Sequence, residues 1–123
     1  MKNSFCLITY GCKLNQSDSE IIRAILLDNN FKEASLTEVD FLILNTCGVV
    51  EKTERNILKQ AAAAKKRGQK VILTGCLPGV ALDQCKKVAD AILGVKNIGS
   101  IIEAIKQILK KHNIVTQDIR IIE

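Results

Sequence analysis

Short, continuous apolar runs that alternate with amphipathic segments constrain this sequence more than any other feature. Residues 4–10, 41–45 and 71–74 are mostly apolar or β-branched, and each run precedes a longer stretch with helical periodicity. A strand forms a continuous apolar run when both of its faces are buried, as in a parallel sheet covered by helices. The pattern predicts an α/β fold with an open, mainly parallel sheet of about five strands and helices on both faces, that is, a flavodoxin-like or Rossmann-like three-layer sandwich.

The remaining elements follow from the same patterns. Further strands are expected at residues 32–34 and 91–93, with residues 119–122 as a terminal strand or the start of a further segment. Helices are expected at about residues 53–66, 80–88 and 98–111. Nothing like a linker divides the sequence, so residues 1–123 are expected to form one domain. A closed barrel of eight units needs about 250 residues, which excludes it for 123 residues.

The first helix is predicted from its capping residues. Residues 11–17 are expected to form a loop, and Asn15 or Ser17 is a candidate cap for a helix that runs to about residue 29. Asp18 and Glu20 would then lie in its first turn, where acidic side chains are favoured. The predicted buried stripe of this helix consists of Ile21, Ile22, Ile25 and Leu26.

Three of the five cysteines occupy equivalent positions in this pattern. Cys12, Cys47 and Cys76 each follow a predicted buried strand, and each lies beside a glycine. The carboxyl ends of parallel strands meet at one edge of a sheet, where open α/β folds bind their ligands. Glycine allows the backbone to approach a bulky ligand closely and to adopt positive φ values. We therefore expect the three cysteines to converge on one site.

Three converging thiolates are typical of an iron–sulfur site. Thiolates are the soft ligands that hold iron in such clusters, and three of them would leave one iron of a [4Fe–4S] cluster without a protein ligand. A zinc site, a cysteine nucleophile and simple burial of small thiols remain alternatives. Cys6 within the first strand and Cys85 on a helix are predicted to be packing residues, and His112 is expected to be solvated at a helix end.

The three cysteine segments together resemble one protein family. Residues 10–20 (YGCKLNQSDSE), 45–50 (NTCGVV) with Thr53, Glu54 and Arg55 downstream, and 74–78 (TGCLP) are similar to the three signatures of the radical S-adenosylmethionine methylthiotransferases. The resemblance covers about residues 4–111. It implies that this is the N-terminal domain of such an enzyme and that Cys12, Cys47 and Cys76 bind an auxiliary [4Fe–4S] cluster that serves in sulfur insertion.

The resemblance also implies what the complete enzyme does. In that family a central radical domain uses S-adenosylmethionine and a second cluster on a Cys-x-x-x-Cys-x-x-Cys motif, and a small RNA-binding β domain follows. The enzyme adds a methylthio group to an adenosine next to the anticodon of tRNA or, in one branch, to an aspartate of a ribosomal protein. The quoted segments look most like the archaeal and eukaryotic branch, which acts on threonylcarbamoyl-adenosine, with the isopentenyl-adenosine branch as the competitor.

The sequence departs from the family in one respect. No Cys-x-x-x-Cys-x-x-Cys motif occurs in it, so the radical and RNA-binding domains are expected to be absent and these residues alone to be inactive. The chain is then either part of a longer enzyme or a stand-alone iron–sulfur or electron-transfer module that works with a partner. A plain α/β interaction domain with incidental thiols is the third reading.

The excess of basic residues would suit a protein that binds a polyanion. The net charge is +5 and the isoelectric point about 9.0, which suits tRNA. The alternative is that the cations complement helix C-termini, because they form clusters there: Lys65, Lys66 and Arg67; Lys86 and Lys87; Lys110 and Lys111. No signal peptide or membrane-spanning run is recognisable, so a cytoplasmic protein without membrane contact is expected.

Several polar residues near the cysteines are candidates for supporting roles. Asn15 and Asn45 could donate hydrogen bonds that shape the cysteine loops, including bonds to cluster sulfur, which would tune a cluster. Their local alternatives are a helix cap for Asn15 and a strand-end turn for Asn45. Gln16, Ser17 and Glu54 are similar cases, and Glu54 could simply serve the first turn of its helix.

Overall fold

A computed structural model describes residues 3–10, 13–46, 51–75, 82–93, 98–110 and 119–121. The strands are β1 (Ser4–Thr9), β2 (Lys32–Glu33), β3 (Phe41–Thr46), β4 (Lys70–Gly75), β5 (Ala91–Leu93) and β6 (Ile119–Ile121). The α-helices are α1 (Lys13–Asp28), α2 (Glu51–Lys66), α3 (Leu82–Val88) and α4 (Ile101–Lys110), the last of them preceded by a 3₁₀ turn at Ile98–Ser100.

The sheet confirms the predicted fold class. The strand order is β2-β1-β3-β4-β5-β6, and all pairs from β2 to β5 are parallel. The short strand β6 pairs antiparallel with β5 at the edge of the sheet. The order 2-1-3-4-5 is the flavodoxin-like arrangement of a doubly wound sheet. From β1 the chain continues to β2 on one side, and from β3 it continues to β4 on the other side. The topological switch point therefore lies between β1 and β3.

The aliphatic core forms one layer on each face of the sheet. Successive side chains of a strand point to opposite faces, so Phe41 and Ile43 of β3 pack under α1 and α4, while Leu42 and Leu44 pack under α2 and α3. All six residues of β3 are buried. This two-sided burial is the reason that the central strands are almost wholly apolar in sequence.

The start of the first helix corrects the sequence prediction. Helix α1 begins at Lys13, so Asn15 and Ser17 lie inside the helix and are not its caps. Asp18 and Glu20 lie beyond the first turn, which contains no acidic residue. The predicted loop at residues 11–17 is therefore wrong from residue 13 onward. A residue type that is favoured as a helix cap shows where a helix could begin, but not where this helix does begin.

The buried stripe of α1 also differs from the prediction. Ile22 and Leu26 are fully buried and Ile25 is partly buried, but the side chain of Ile21 is 49% exposed. Ser19 is buried in its place. Residues 19, 22 and 26 share one face of a helix, whereas Ile21 lies about 100° away from Ile22 around the helix axis.

Helix α2 ends as the sequence predicts. Gly68 has a φ of +82°, and the amide of Gln69 donates to the carbonyl oxygen of Ala64 at 3.0 Å. A glycine with positive φ is a common end of an α-helix. The C-terminal ends of α1 and α3 agree with the predicted ones to within one residue. The predicted end of the last helix, residue 111, lies outside the described part of the chain.

Candidate functional site at the carboxyl edge of the sheet

The carboxyl ends of β1, β3 and β4 form the frame of the predicted site. The three strands are neighbours in the sheet. Thr9 pairs with Asn45, Asn45 pairs with Thr74, and one residue further Thr46 pairs with Gly75. The amide of Tyr10 donates to the carbonyl oxygen of Asn45 at 2.8 Å and extends the ladder past the end of β1. The strand ends therefore lie side by side, as the sequence predicts.

The three predicted ligands follow this frame directly in sequence. Cys47 comes after Thr46 and Cys76 after Gly75, while Cys12 precedes the first residue of α1. Cys12, Cys47 and Cys76 themselves, with Gly11 and Gly48, lie outside the described residues. Their convergence stays a prediction, and the described residues define the surroundings from which it can be argued.

Gly75 is held in a conformation that only glycine adopts easily. Its φ is +95°, in the region that L-amino acids with a side chain rarely enter. A Cβ atom at this position would lie 2.6 Å from the backbone nitrogen of Thr46 and 2.9 Å from Oδ1 of Asn45, and it would also overlap the carbonyl oxygen of Thr46. The unusual φ predicted for the glycine beside Cys76 is confirmed, whereas its predicted approach to a bound ligand stays a prediction.

A buried polar cluster lies beneath the strand ends on the α1 face. The hydroxyl groups of Thr9 and Ser19 share a hydrogen bond of 2.6 Å, and Nδ2 of Asn45 donates to Oγ of Ser19 at 3.0 Å. Ser19 and Asn45 are both almost completely buried. These bonds tie helix α1 to the ends of β1 and β3. The sequence suggested that Asn45 donates hydrogen bonds to the cysteine loops; its bond to Ser19 fixes helix α1, and the role in those loops stays a prediction.

Two buried threonines lie beside this cluster, Thr74 on the same face of the sheet and Thr46 on the opposite face. The cluster and Thr74 together are called the polar layer below. The hydroxyl of Thr46, on the opposite face of the sheet, donates to the carbonyl oxygen of Thr74 at 2.6 Å. Thr74 is itself completely buried, and its Oγ1 has no hydrogen-bond partner within the described ranges. A buried hydroxyl that forms no hydrogen bond costs about 1–3 kcal/mol. Thr74 therefore carries a polar group whose partner the described residues do not supply.

The sequence reasoning missed Thr9, Ser19 and Thr74 as members of this layer. Two signals pointed to them. Ser19 stands in helical register with Ile22 and Leu26 and so belongs to the buried face. Thr9 and Thr74 end apolar strands at equivalent positions. A polar residue in a buried position needs a partner, but the partner can be identified only from the register of the strands.

The two cysteines that the structure describes lie away from the edge. Cys6 is partly buried in the middle of β1, and Cys85 is fully buried in α3 within the apolar layer of the α2 face. Burial, and secondarily the charge of Glu33, raises the pKa of the Cys6 thiol. A protonated thiol is a poor metal ligand. The prediction that both are packing residues is confirmed.

The acidic, histidine and cysteine side chains of the described part form no group that could hold a metal ion. The same part contains no helix of the length and apolarity that a bilayer crossing requires.

The basic clusters lie at helix C-termini. Lys65 and Lys66 are in the last turn of α2, and Lys86 and Lys87 are in the last turn of α3. A crossover helix runs antiparallel to the strands it connects, so these cations lie toward the amino edge of the sheet, opposite the cysteine edge. Lys65 forms an ion pair of 2.7 Å with Asp90. Placement at helix ends favours the interpretation that these charges complement the helix dipoles.

Known proteins similar to this chain carry related names. The profile of the uncharacterized protein family UPF0004 matches residues 4–95. A probable threonylcarbamoyladenosine tRNA methylthiotransferase from Archaeoglobus fulgidus is 35% identical over 109 residues, which cover 89% of this chain and 25% of the relative. A tRNA-2-methylthio-N(6)-dimethylallyladenosine synthase from Fervidobacterium nodosum is 32% identical over 106 residues, covering 74% of this chain and 25% of the relative.

A third relative carries the name of another branch. A ribosomal protein uS12 methylthiotransferase from Protochlamydia amoebophila is 30% identical over 115 residues, which cover 88% of this chain and 24% of the relative. The chain thus spans about a quarter of the length of the curated relatives it matches. The matched residues include the ends of β1, β3 and β4, and the resemblance seen in the sequence is confirmed: the chain belongs to the uncharacterized protein family UPF0004, the N-terminal domain of the methylthiotransferases.

Proposed function

We propose that this domain binds an auxiliary [4Fe–4S] cluster through Cys12, Cys47 and Cys76 and that the cluster serves in sulfur insertion by a tRNA methylthiotransferase. The observation that carries the proposal is the arrangement of the strand ends. Each predicted ligand lies within three residues of the end of β1, β3 or β4, and these three parallel strands are neighbours. Ligands of doubly wound sheets bind outside the carboxyl ends at the switch point, which here lies between β1 and β3.

Covalent geometry supports a shared site for two of the ligands. Thr46 and Gly75 are paired residues of adjacent strands, whose backbones are about 4.8 Å apart. Since each predicted ligand is the next residue, and consecutive Cα atoms are about 3.8 Å apart, the Cα atoms of Cys47 and Cys76 are separated by at most about 12 Å. That separation is short enough for both thiolates to reach one cluster.

The third ligand has a favourable electrostatic setting in this proposal. Cys12 immediately precedes Lys13, the first residue of the sixteen-residue helix α1. The N-terminus of a helix carries a partial positive charge, which favours an anionic group such as a cluster bound by thiolates. Cys6, with its raised pKa, has the opposite setting.

The described residues fit a cluster at this edge. Gly75 lies directly against Thr46 and Asn45 and so keeps the ends of β3 and β4 close together, and the buried hydroxyl of Thr74 has no hydrogen-bond partner among the described residues. A cluster held by three thiolates supplies an iron with an open coordination position, which is where sulfur chemistry can take place. The three cysteines would hold this group, and the polar layer would separate it from the apolar core below.

The remaining steps belong to other parts of the enzyme in this proposal. Residues 1–123 form one domain of a cytoplasmic transferase, and cleavage of S-adenosylmethionine at a second cluster takes place in a radical domain outside them. These residues alone are therefore expected to be inactive. The name of the Archaeoglobus relative, a probable threonylcarbamoyladenosine tRNA methylthiotransferase, supports threonylcarbamoyladenosine of tRNA as the substrate nucleoside.

Reconstitution tests the cluster. The chain is incubated with iron and sulfide without oxygen, and iron content and the visible spectrum are measured for wild type and for Cys12→Ala, Cys47→Ala and Cys76→Ala. We expect about four irons per chain, lost in each of these variants. Cys6→Ala is the matched control because Cys6 lies in the same strand system but away from the edge, and it should retain the iron.

Two results would contradict the proposal. If wild type takes up no iron, the chain is an α/β domain of this family without the proposed cofactor. If iron uptake is the same in the three variants as in Cys6→Ala, the iron is bound elsewhere or nonspecifically.

A further inference from the structure

Thr74 differs from the other polar residues of the carboxyl edge. Thr9, Asn45 and Thr74 occupy one row across β1, β3 and β4, and strand alternation places all three on the α1 face. Within the row, Thr9 and Asn45 are both bonded to Ser19 of α1. Oγ1 of Thr74 is buried and has no partner among the described residues. Within the described residues, the polar layer is therefore hydrogen-bonded at its β1 and β3 side, while its β4 side has a hydroxyl without a partner.

Below the polar row, Thr74 adjoins the apolar layer of the core. Ile72, two residues earlier on the same face of β4, is fully buried in the apolar layer under α1 and α4. Valine has nearly the same shape as threonine and would fill the position without burying a hydroxyl. A threonine with no partner among the described residues is therefore explained by a partner that is added when the site is filled.

We propose that the Thr74 hydroxyl donates a hydrogen bond to a sulfur atom of the iron–sulfur group at this edge, and that Ser19 and Asn45 hold the layer in place beneath it. The inference rests on the proposed function, because the group is the cluster proposed above. Thr74 is two residues from Cys76 and in the row that lies next to the predicted ligands. A hydroxyl can donate one hydrogen bond and accept two, and hydrogen bonds to cluster sulfur atoms are one of the determinants of reduction potential.

The expected consequence is electronic as well as structural. Reduction adds negative charge to the cluster, so a donor to sulfur stabilises the reduced form more than the oxidised form. Loss of the donor should therefore shift the reduction potential to a more negative value. It should also weaken retention of the metal, because outer hydrogen bonds of metal sites typically contribute 10–100-fold to affinity.

The test compares Thr74→Val, Thr74→Ser and Thr9→Val in the 123-residue chain. Unfolding of the metal-free protein is measured first, and the reduction potential and the rate of iron loss to a chelator are measured after reconstitution. Thr74→Val should leave the metal-free protein at least as stable as wild type, yet shift the potential to more negative values and release iron about tenfold faster. Thr74→Ser retains the hydroxyl and should restore the wild-type potential.

Thr9→Val is the matched control. It removes a hydroxyl from the same row, but one that is already bonded to Ser19, so it should destabilise the metal-free protein and leave the potential unchanged. Two results overturn the inference: an unchanged potential and release rate in Thr74→Val, or a loss of metal-free stability as large as that of Thr9→Val. If wild type takes up iron through the three cysteines and only Thr74→Val is silent, the inference fails and the proposed function stands. If wild type takes up no iron, both fail.

Discussion

Substitution of glycine by alanine at three positions isolates the close contact at the candidate site. Gly75 combines a φ of +95° with neighbouring backbone atoms of Thr46 inside van der Waals distance of a Cβ. Gly68 has a similar φ of +82° but has nothing within 4 Å of a Cβ. Gly99 likewise has nothing within 4 Å, and its φ lies outside the positive region. Alanine would therefore meet both an unfavourable φ and a steric clash at Gly75, only the unfavourable φ at Gly68, and neither of the two at Gly99.

The magnitudes follow from these differences. A residue other than glycine with positive φ costs about 1–2 kcal/mol, which is the expected effect of Gly68→Ala. Gly75→Ala adds steric overlap with backbone that cannot rotate away, a further cost of about 1–3 kcal/mol. Gly99→Ala should be neutral or stabilising by up to about 1 kcal/mol, because alanine loses less backbone entropy in a helical turn. For a domain of this size, 1 kcal/mol corresponds to about 4 °C in Tm.

Urea unfolding of the metal-free protein under reducing conditions, followed by circular dichroism, measures the three values. We expect the free energy of unfolding to fall in the order Gly99→Ala, Gly68→Ala, Gly75→Ala, with Gly75→Ala about 1–3 kcal/mol below Gly68→Ala. If Gly75→Ala costs no more than Gly68→Ala, the approach of the β4 end to Thr46 is not as close as the structure shows. Gly75 would then not be the residue that holds the end of β4 against the end of β3.

Two further predictions concern charged groups away from the site. Asp90→Ala should cost about 1–3 kcal/mol because it leaves the buried amide of Val71, which donates to Oδ2 of Asp90 at 2.8 Å, without an acceptor; Glu33→Gln removes only an exposed ion pair with Arg23 and should cost less than about 1 kcal/mol. Equal losses in urea unfolding would contradict this ranking. Cys6 should be alkylated slowly at about pH 8, since burial and then Glu33 raise its pKa and so lower the thiolate fraction. Glu33→Gln should accelerate the reaction, as measured by peptide mapping, and an unchanged rate would exclude a contribution of that charge.

Local sequence patterns predicted the elements of this fold because burial leaves a local record. A central strand covered on both faces is apolar over most of its length, and β3 shows this from residue 41 to residue 44. Helix α2 ends where a glycine permits positive φ. The start of α1 could not be predicted in this way. Asn15 and Ser17 have the chemistry of caps, yet the helix begins before them, at Lys13, so residue type alone did not locate its first turn.

In the candidate site, too, some features can be predicted from the sequence and others only from the tertiary structure. The positions of Cys12, Cys47 and Cys76 after strands, and the glycines beside them, are properties of the sequence alone, and they were sufficient to predict a shared edge and a family. The contact of Ser19 with Asn45, and the lack of a partner for the Thr74 hydroxyl among the described residues, are not. Both depend on which strands are neighbours and in what register, and that is decided by packing between residues far apart in the chain. Sequence determines which side chains must be buried, but only the tertiary structure decides which buried polar groups meet.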